Sequence, residues 1–221
     1  MQNSEMLHYP GSGNRAVVLF HGYGADMRDL APLKDWLDPA GAWHWYFPNG
    51  PGRVDLGAHY EGRSWFPIDM VALEAAMRAG TTRDFAGHAA PGFDAAVAGA
   101  EHLCQQLAQR HSGGLVIGGF SQGAMLTSHV ALRGQVPLRG LVLLSGNLVD
   151  RRALENLRPN PVPVFQSHGQ DDEVLGIRGA EALRDLLCEK NFPVTWCPFS
   201  GGHEIPPPAL HGTRSFLEGL K

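Results

Sequence analysis

Apolar residues along this chain follow two alternating rhythms. One is the short run: Ala16-Val17-Val18-Leu19-Phe20, Leu115-Val116-Ile117, and the centres of the stretches 138–146 and 162–168. A run with no polar side to offer water predicts a strand covered on both faces. Trp43–Pro48, dense in aromatics and closed by proline, and Val194–Phe199 predict two more strands. The other rhythm is recurrence at three and four residues. Phe93, Ala96, Val97, Ala100, Leu103, Cys104 and Leu107 trace one helical face, and Ile177, Ala180, Leu183 and Leu187 trace another. The run from Ala124 to Leu132 is compatible with a helix, and Pro206-Pro207-Pro208 opens a terminal one carrying Leu210, Phe216, Leu217 and Leu220. An earlier helix is expected from a cap at Asp26 to about Leu37, with Leu30, Leu33, Trp36 and Leu37 on one face. Strands alternating with helices predict an α/β fold with a mostly parallel central sheet and helices on both faces.

Between Asn49 and Gly92 the rhythm fails. Gly50-Pro51-Gly52 breaks the chain, 62–68 holds an aromatic cluster, Met70–Arg78 fits a short helix, and 80–90 loosens again. So long an aperiodic stretch inside a compact unit predicts an active-site border or lid over about residues 50–92. The 221 residues suit one domain spanning 1–221. A net charge of −4 gives no electrostatic reason to expect nucleic acid or an anionic membrane as partner. No apolar run approaches a membrane span, and residues 1–9 lack a signal pattern, so the cytoplasm is the expected compartment. Cys104, Cys188 and Cys197 show no paired spacing and read as reduced, mostly buried thiols. Aromatic side chains left exposed in the aperiodic segment would favour a homodimer.

Candidate chemistry lies just past the strands, where such sheets bind ligands. After Leu115-Val116-Ile117, Gly119-Phe120-Ser121-Gln122-Gly123 matches G-x-S-x-G, a strand-to-helix turn that needs small residues two before and two after the serine. The turn projects the Ser121 hydroxyl and aims the next amide at a developing oxyanion. Three other strand ends carry His21-Gly22-Tyr23-Gly24, His168-Gly169-Gln170-Asp171-Asp172 and Gly201-Gly202-His203. A serine hydroxyl needs a base within hydrogen-bond reach, and the base needs a carboxylate to fix its tautomer. Of the eleven histidines, His203 alone follows the last strand and a flexible Gly-Gly pair. His168 sits inside its strand end and reads as structural, and His21 reads as an organiser of its glycine turn. His8, His44, His59, His88, His102, His111, His129 and His211 are placed as surface or helix residues. Asp171 and Asp172 are adjacent, and spacing does not choose between them. Asp26 and Asp69 are weaker bids for the acid.

The Gly119–Ala124 run, the His21–Gly24 turn, the Trp65-Phe66 pair, the 168–172 run and Gly202-His203-Glu204 together resemble the phospholipase/carboxylesterase family of α/β-hydrolases. The resemblance runs from about Ala16 to the C-terminus. It implies the α/β-hydrolase fold, with Ser121 as nucleophile, Asp172 as acid and His203 as base. It also implies an oxyanion hole built from the backbone amides of Tyr23 and Gln122. No metal or organic cofactor is implied, and the expected partner is a small-molecule ester. Trp65 and Phe66 are placed around the cleft mouth as substrate-binding residues, which suggests short-to-medium acyl chains. An acyl-protein thioesterase or lysophospholipase is the alternative on the same machinery, and a non-catalytic ligand-binding protein is the remote one. Two positions depart from the family pattern: Glu173 stands where proline is common after the acid, and Pro67 where many members carry aspartate.

Overall fold

The computed structural model describes residues 5–57 and 61–220, so His59 and the first four residues of the N-terminal stretch lie outside the described residues. In chain order the elements are β1 (Met6–Tyr9), β2 (Arg15–Phe20), α1 (Leu33–Leu37), β3 (Trp43–Pro48), β4 (Gly52–Asp55), β5 (Glu61–Ser64), α2 (Met70–Arg78) and α3 (Phe93–Arg110). There follow β6 (Leu115–Phe120), α4 (Gln122–Arg133), β7 (Gly140–Leu144), α5 (Arg151–Glu155), β8 (Val164–Gly169), α6 (Ile177–Glu189), β9 (Val194–Phe199) and α7 (Pro207–Gly219). Seven strands form one sheet in the order β1-β3-β2-β6-β7-β8-β9, parallel throughout except for β1 on β3. The expected mostly parallel sheet is present.

Alternation along the strands divides the core in two. Ala16, Val18 and Phe20 of β2 face the side that packs against α3, α4 and α6, through Val97, Cys104, Leu126 and Leu183. Val17 and Leu19 face the other side, joined by Trp43, Trp45 and Phe47 of β3, with Leu37 of α1 and Leu217 of α7 above them. This double burial is why β2, β6 and β7 read as continuous apolar runs. At roughly 25 cal/mol per Å² of apolar surface removed from water, these two layers are the main favourable contribution to folding.

Several expectations need adjustment. The helix capped by Asp26 does not form. Asp26 accepts the backbone N–H of Arg28 at 2.7 Å in a local turn, and only Leu33–Leu37 is helical. Pro32 lies directly before that segment, where its fixed φ suits a helix start. Trp36 points to water, 67% exposed, off the face it was expected to share. β1 and the β4–β5 hairpin carry no apolar run and escape the periodicity test. Arg53–Glu61 bridges the two strands of the hairpin and Arg63–Glu5 ties it to the residue before β1, while β1 itself pairs with β3 and packs Met6, Leu7 and Tyr9 on the core. β9 tolerates an internal Pro198 because it is an edge strand, where a missing N–H is least damaging. Cys188 is exposed, whereas Cys104 is buried. Trp65, Phe66 and Phe85 in the aperiodic segment are buried, and the large apolar groups it exposes are Leu56, Met70, Val71 and Met77. The reason given for a homodimer therefore lapses among the described residues. No helix among the described residues is long and apolar enough to cross a membrane.

His129, expected as a bland helix residue, lies fully inside α4, 1% exposed, with Nε2–H donating to the Val149 carbonyl at 2.8 Å. Burial drives its pKa down from 6.5 to about 4. The unfolded chain takes up this proton near pH 6.5 and the folded one only near 4, so stability falls as pH drops across that window. The thermal midpoint should therefore decline between pH 6.5 and 4. The decline should be shallower in His129→Gln, which keeps a donor for Val149 but does not titrate. Equal slopes in wild type and variant would remove His129 from the account.

Candidate active site

Ser121 occupies the turn between β6 and α4 with φ 55° and ψ −116°, a backbone conformation that L-residues rarely adopt. The surrounding backbone holds it there. Its N–H donates to the Leu144 carbonyl at the end of β7 (2.9 Å), and its carbonyl starts α4 by accepting from Met125 (3.0 Å). The flanking glycines are demanded by contact with β2. A Cβ on Gly123 would lie 2.0 Å from the Phe20 carbonyl oxygen, and one on Gly119 would lie 2.6 Å from the same atom. The expected need for small residues on either side of the serine is thus met by steric necessity.

His203 reaches Ser121 from the loop after β9. Its Nε2 lies 2.8 Å from Ser121 Oγ, and its Nδ1 lies 2.7 Å from Asp172 Oδ2. Ser121, His203 and Asp172 are therefore brought into one hydrogen-bonded chain, while the neighbouring Asp171 is exposed. The other oxygen of Asp172 accepts the backbone N–H groups of Val174 (2.9 Å) and Leu175 (2.8 Å). His168 adds its Nε2 at 3.3 Å from Oδ2 while donating to the Leu175 carbonyl. Burial alone would push the Asp172 carboxyl up. The hydrogen bonds from His168 and His203, the attraction of His203 and the Leu175 N–H outweigh it and hold the carboxyl far below the usual carboxylate range. The loops carrying Asp172 and His203 are also stitched together by backbone bonds, Gln170 N–H to the Phe199 carbonyl (2.8 Å) and Asp171 N–H to the Gly201 carbonyl (3.0 Å).

The turn after β2 forms the other rim. His21 is buried, takes the Gly50 N–H on Nε2 (3.0 Å) and thereby places its ring proton on Nδ1, facing the Gly22 carbonyl (2.7 Å). Burial first of all lowers its pKa, so it stands neutral as an organiser of the turn. Edge contacts with β5, Gly24 N–H to Arg63 and Arg63 N–H to Ala25 (each 2.8 Å), fasten the turn. Among the described residues the N–H of Tyr23 donates to no carbonyl or side chain. Gln122 is the first residue of α4, where N–H groups lack a partner one turn back.

Trp65 and Phe66 are more deeply held than a cleft mouth implies. Trp65 is 9% exposed and packs on Phe20 and His21, and Phe66 packs edge-on against Phe93. Both nonetheless line a cleft of about 550 Å³ together with Tyr23, Val54, Ile68 and Ala96. His168, read as structural, is fully buried against Asp172, a contact that its four-residue spacing could have signalled. Ser145, buried at φ 49° and bonded through Oγ to the Glu204 carbonyl (3.3 Å), left no signal beyond its place at a strand end.

A family described as Phospholipase/Carboxylesterase matches residues 10–220. An acyl-protein thioesterase 1 from Eremothecium gossypii is 31% identical, the match covering 92% of this chain and 86% of that protein. Another from Neurospora crassa is 32% identical over a stretch covering 47% of this chain and 44% of that one, so there the chain spans less than half the relative's length. Among solved structures, the esterase PE8 superposes with a TM-score of 0.81 at 27% identity, covering 99% of this chain and 98% of that one. The Zea mays acyl-protein thioesterase 2 superposes at 0.74 and 24% identity, covering 98% and 99%, a likeness of fold.

The glycine contacts make a direct prediction. Gly123→Ala should lower stability by about 1–3 kcal/mol, because its methyl group meets backbone that cannot yield. Gly99→Ala, in mid-α3 with nothing within 4 Å of its added Cβ, should raise stability by about 0.5–1 kcal/mol. Urea unfolding of the two variants checks the contrast, and similar effects would contradict the steric reading.

Proposed function

The chain belongs to the phospholipase/carboxylesterase family, and on that premise we propose that it is a serine carboxylesterase cleaving short-to-medium-chain carboxylic esters through an acyl-enzyme on Ser121. The observation that carries the proposal is the continuous chain from Ser121 Oγ through His203 to Asp172, at 2.8 and 2.7 Å. In the first half-reaction Oγ attacks the ester carbonyl carbon while His203 Nε2 accepts its proton. The carbonyl π electrons move onto oxygen, where the amides of Tyr23 and Gln122 receive the negative charge. Collapse expels the alcohol oxygen, which takes the proton back from Nε2. In the second half-reaction water, deprotonated by the same nitrogen, attacks the acyl carbon, and the carboxylic acid leaves with Oγ reprotonated. Asp172 keeps Nδ1–H aligned and offsets the charge of the imidazolium. The route needs no metal or organic cofactor.

Two substitutions separate these roles. Ser121→Ala should lower kcat at least about 10³-fold with the fold retained. Asp172→Asn should be far more damaging than Asp171→Asn, since only Asp172 faces the imidazole. Nitrophenyl acetate hydrolysis measures both. A Ser121→Ala variant that keeps about a tenth of wild-type activity, or equal losses at the two aspartates, would defeat the assignment.

The cleft beside Tyr23 is the proposed acyl site, bordered by the 50–92 segment. Each methylene that finds buried surface there is worth roughly 0.8 kcal/mol, about fourfold in kcat/KM. The profile over acyl length should therefore climb for the first few carbons and then fall. Ala95→Leu, on the exposed part of the α3 wall, should move the optimum to shorter chains. The likeness to an acyl-protein thioesterase favours a second reading, with a long acyl thioester as substrate. A profile still rising at about twelve carbons would favour that reading over the short-chain one.

A further inference from the structure

The side chain of Gln122 has no part in the chemistry assigned to its backbone amide, yet it is 1% exposed and hydrogen-bonded at both Oε1 and Nε2. Oε1 accepts the backbone N–H of Trp65 at 2.8 Å, and Nε2 donates to the backbone carbonyl of Phe66 at 2.8 Å. The carboxamide thus clasps two consecutive residues of the bend that follows β5. Trp65 continues the connection. Its indole Nε1–H donates to the His21 carbonyl at 2.9 Å, and its ring packs on the His21 imidazole with centroids 5.0 Å apart. His21 is locked in turn by the Gly50 N–H and the Gly22 carbonyl. The result is a circuit from Gln122 through Trp65 to His21 and along Gly22 to Tyr23.

That circuit joins the two backbone elements that carry the oxyanion amides. One is the turn after β2 and the other is the start of α4. The sheet fixes their strands through the pairing of Phe20 with Gly119, but both amides lie beyond that last pair. An oxyanion hole works only if its donors stand about 2.7–3.1 Å from where the charge will develop, before the reaction begins. Short, buried hydrogen bonds are directional enough to hold such a spacing.

We propose that the Gln122 carboxamide and the Trp65 indole are positioning residues that set the separation of the Tyr23 and Gln122 amides. The inference rests on the oxyanion role given to those amides above. Neither side chain touches the reacting atoms. Each acts through backbone that does.

The test uses Gln122→Met, which deletes both carboxamide bonds while leaving the backbone amide in place, and a matched pair of substrates. One is an oxygen ester and the other its thionoester, whose C=S sulfur is a larger, weak acceptor and gains little from donors spaced for oxygen. With the ester, kcat should fall about ten- to a hundredfold and KM should change less than about threefold. With the thionoester, kcat should fall less than about threefold. Equal losses on both substrates, or no loss on the ester, would overturn the positioning role. Trp65→Phe removes the indole N–H together with its five-membered ring, and carries the same test if Gln122→Met does not fold, with the thionoester showing how much of the loss is packing alone. Labelling of wild-type Ser121 by a fluorophosphonate is measured alongside. Absence of labelling overturns the serine mechanism and the inference with it, whereas labelling with equal losses overturns the inference alone.

Discussion

A serine held at φ 55° is the constraint on which the rest of this structure depends. A non-glycine residue in such a conformation costs on the order of 1–3 kcal/mol and persists only where its surroundings over-determine it. Here they do. β6 lies between β2 and β7, so the elbow is gripped from both sides, by the Phe20 carbonyl against Gly119 and Gly123 and by the Leu144 carbonyl on the Ser121 N–H. The burial that builds the sheet interior also stores the strain that projects the hydroxyl. Sheet stability and the aim of Oγ are two readings of one packing arrangement.

The loops that carry Asp172 and His203 follow a different logic. Neither is strained into place by the core; they hold each other. A Cβ on Gly169 would come within 2.2 Å of the Gly202 carbonyl oxygen, so the turn after β8 and the loop after β9 lie backbone to backbone. Asp172 is the point where they meet, taking His203 on one oxygen and two backbone N–H groups on the other. Its lowered pKa follows from this crowd of donors, despite burial that pulls the other way. Loops at the end of an edge strand are among the parts of a fold that open most readily. Reciprocal bonding of this kind is what keeps His203 in register with Ser121 there.

Much of this was legible in the chain, and what was hidden had a physical reason. β2, β6 and β7 announced themselves because both faces are buried, and α3 because one face is. The β4–β5 hairpin did not, because Arg53, Asp55, Glu61 and Arg63 spend their side chains on water and ion pairs rather than on a core, and β1 did not because its four residues are too few to show a period. The choice between Asp171 and Asp172 depended on which way each side chain turns, which adjacency in sequence does not encode. The expected helix after Asp26 failed because a short polar side chain satisfied the local backbone first. Trp65 was visible as an aromatic near the site, but its indole bond to His21 joins residues 44 apart and leaves no local trace.

The way the Trp65-Phe66 segment is held has a consequence for how members of this family can diversify. Gln122 reads the main chain at both positions, so it makes no demand on the Phe66 ring, which is occupied with Phe93. Ile68 and Val54, lining the same cleft, are free of the frame as well. A lineage could therefore exchange the side chains that line the cleft while the Tyr23 and Gln122 amides stay where they are. Selectivity and rate would drift on separate tracks, with Trp65 as the position where the two tracks remain coupled.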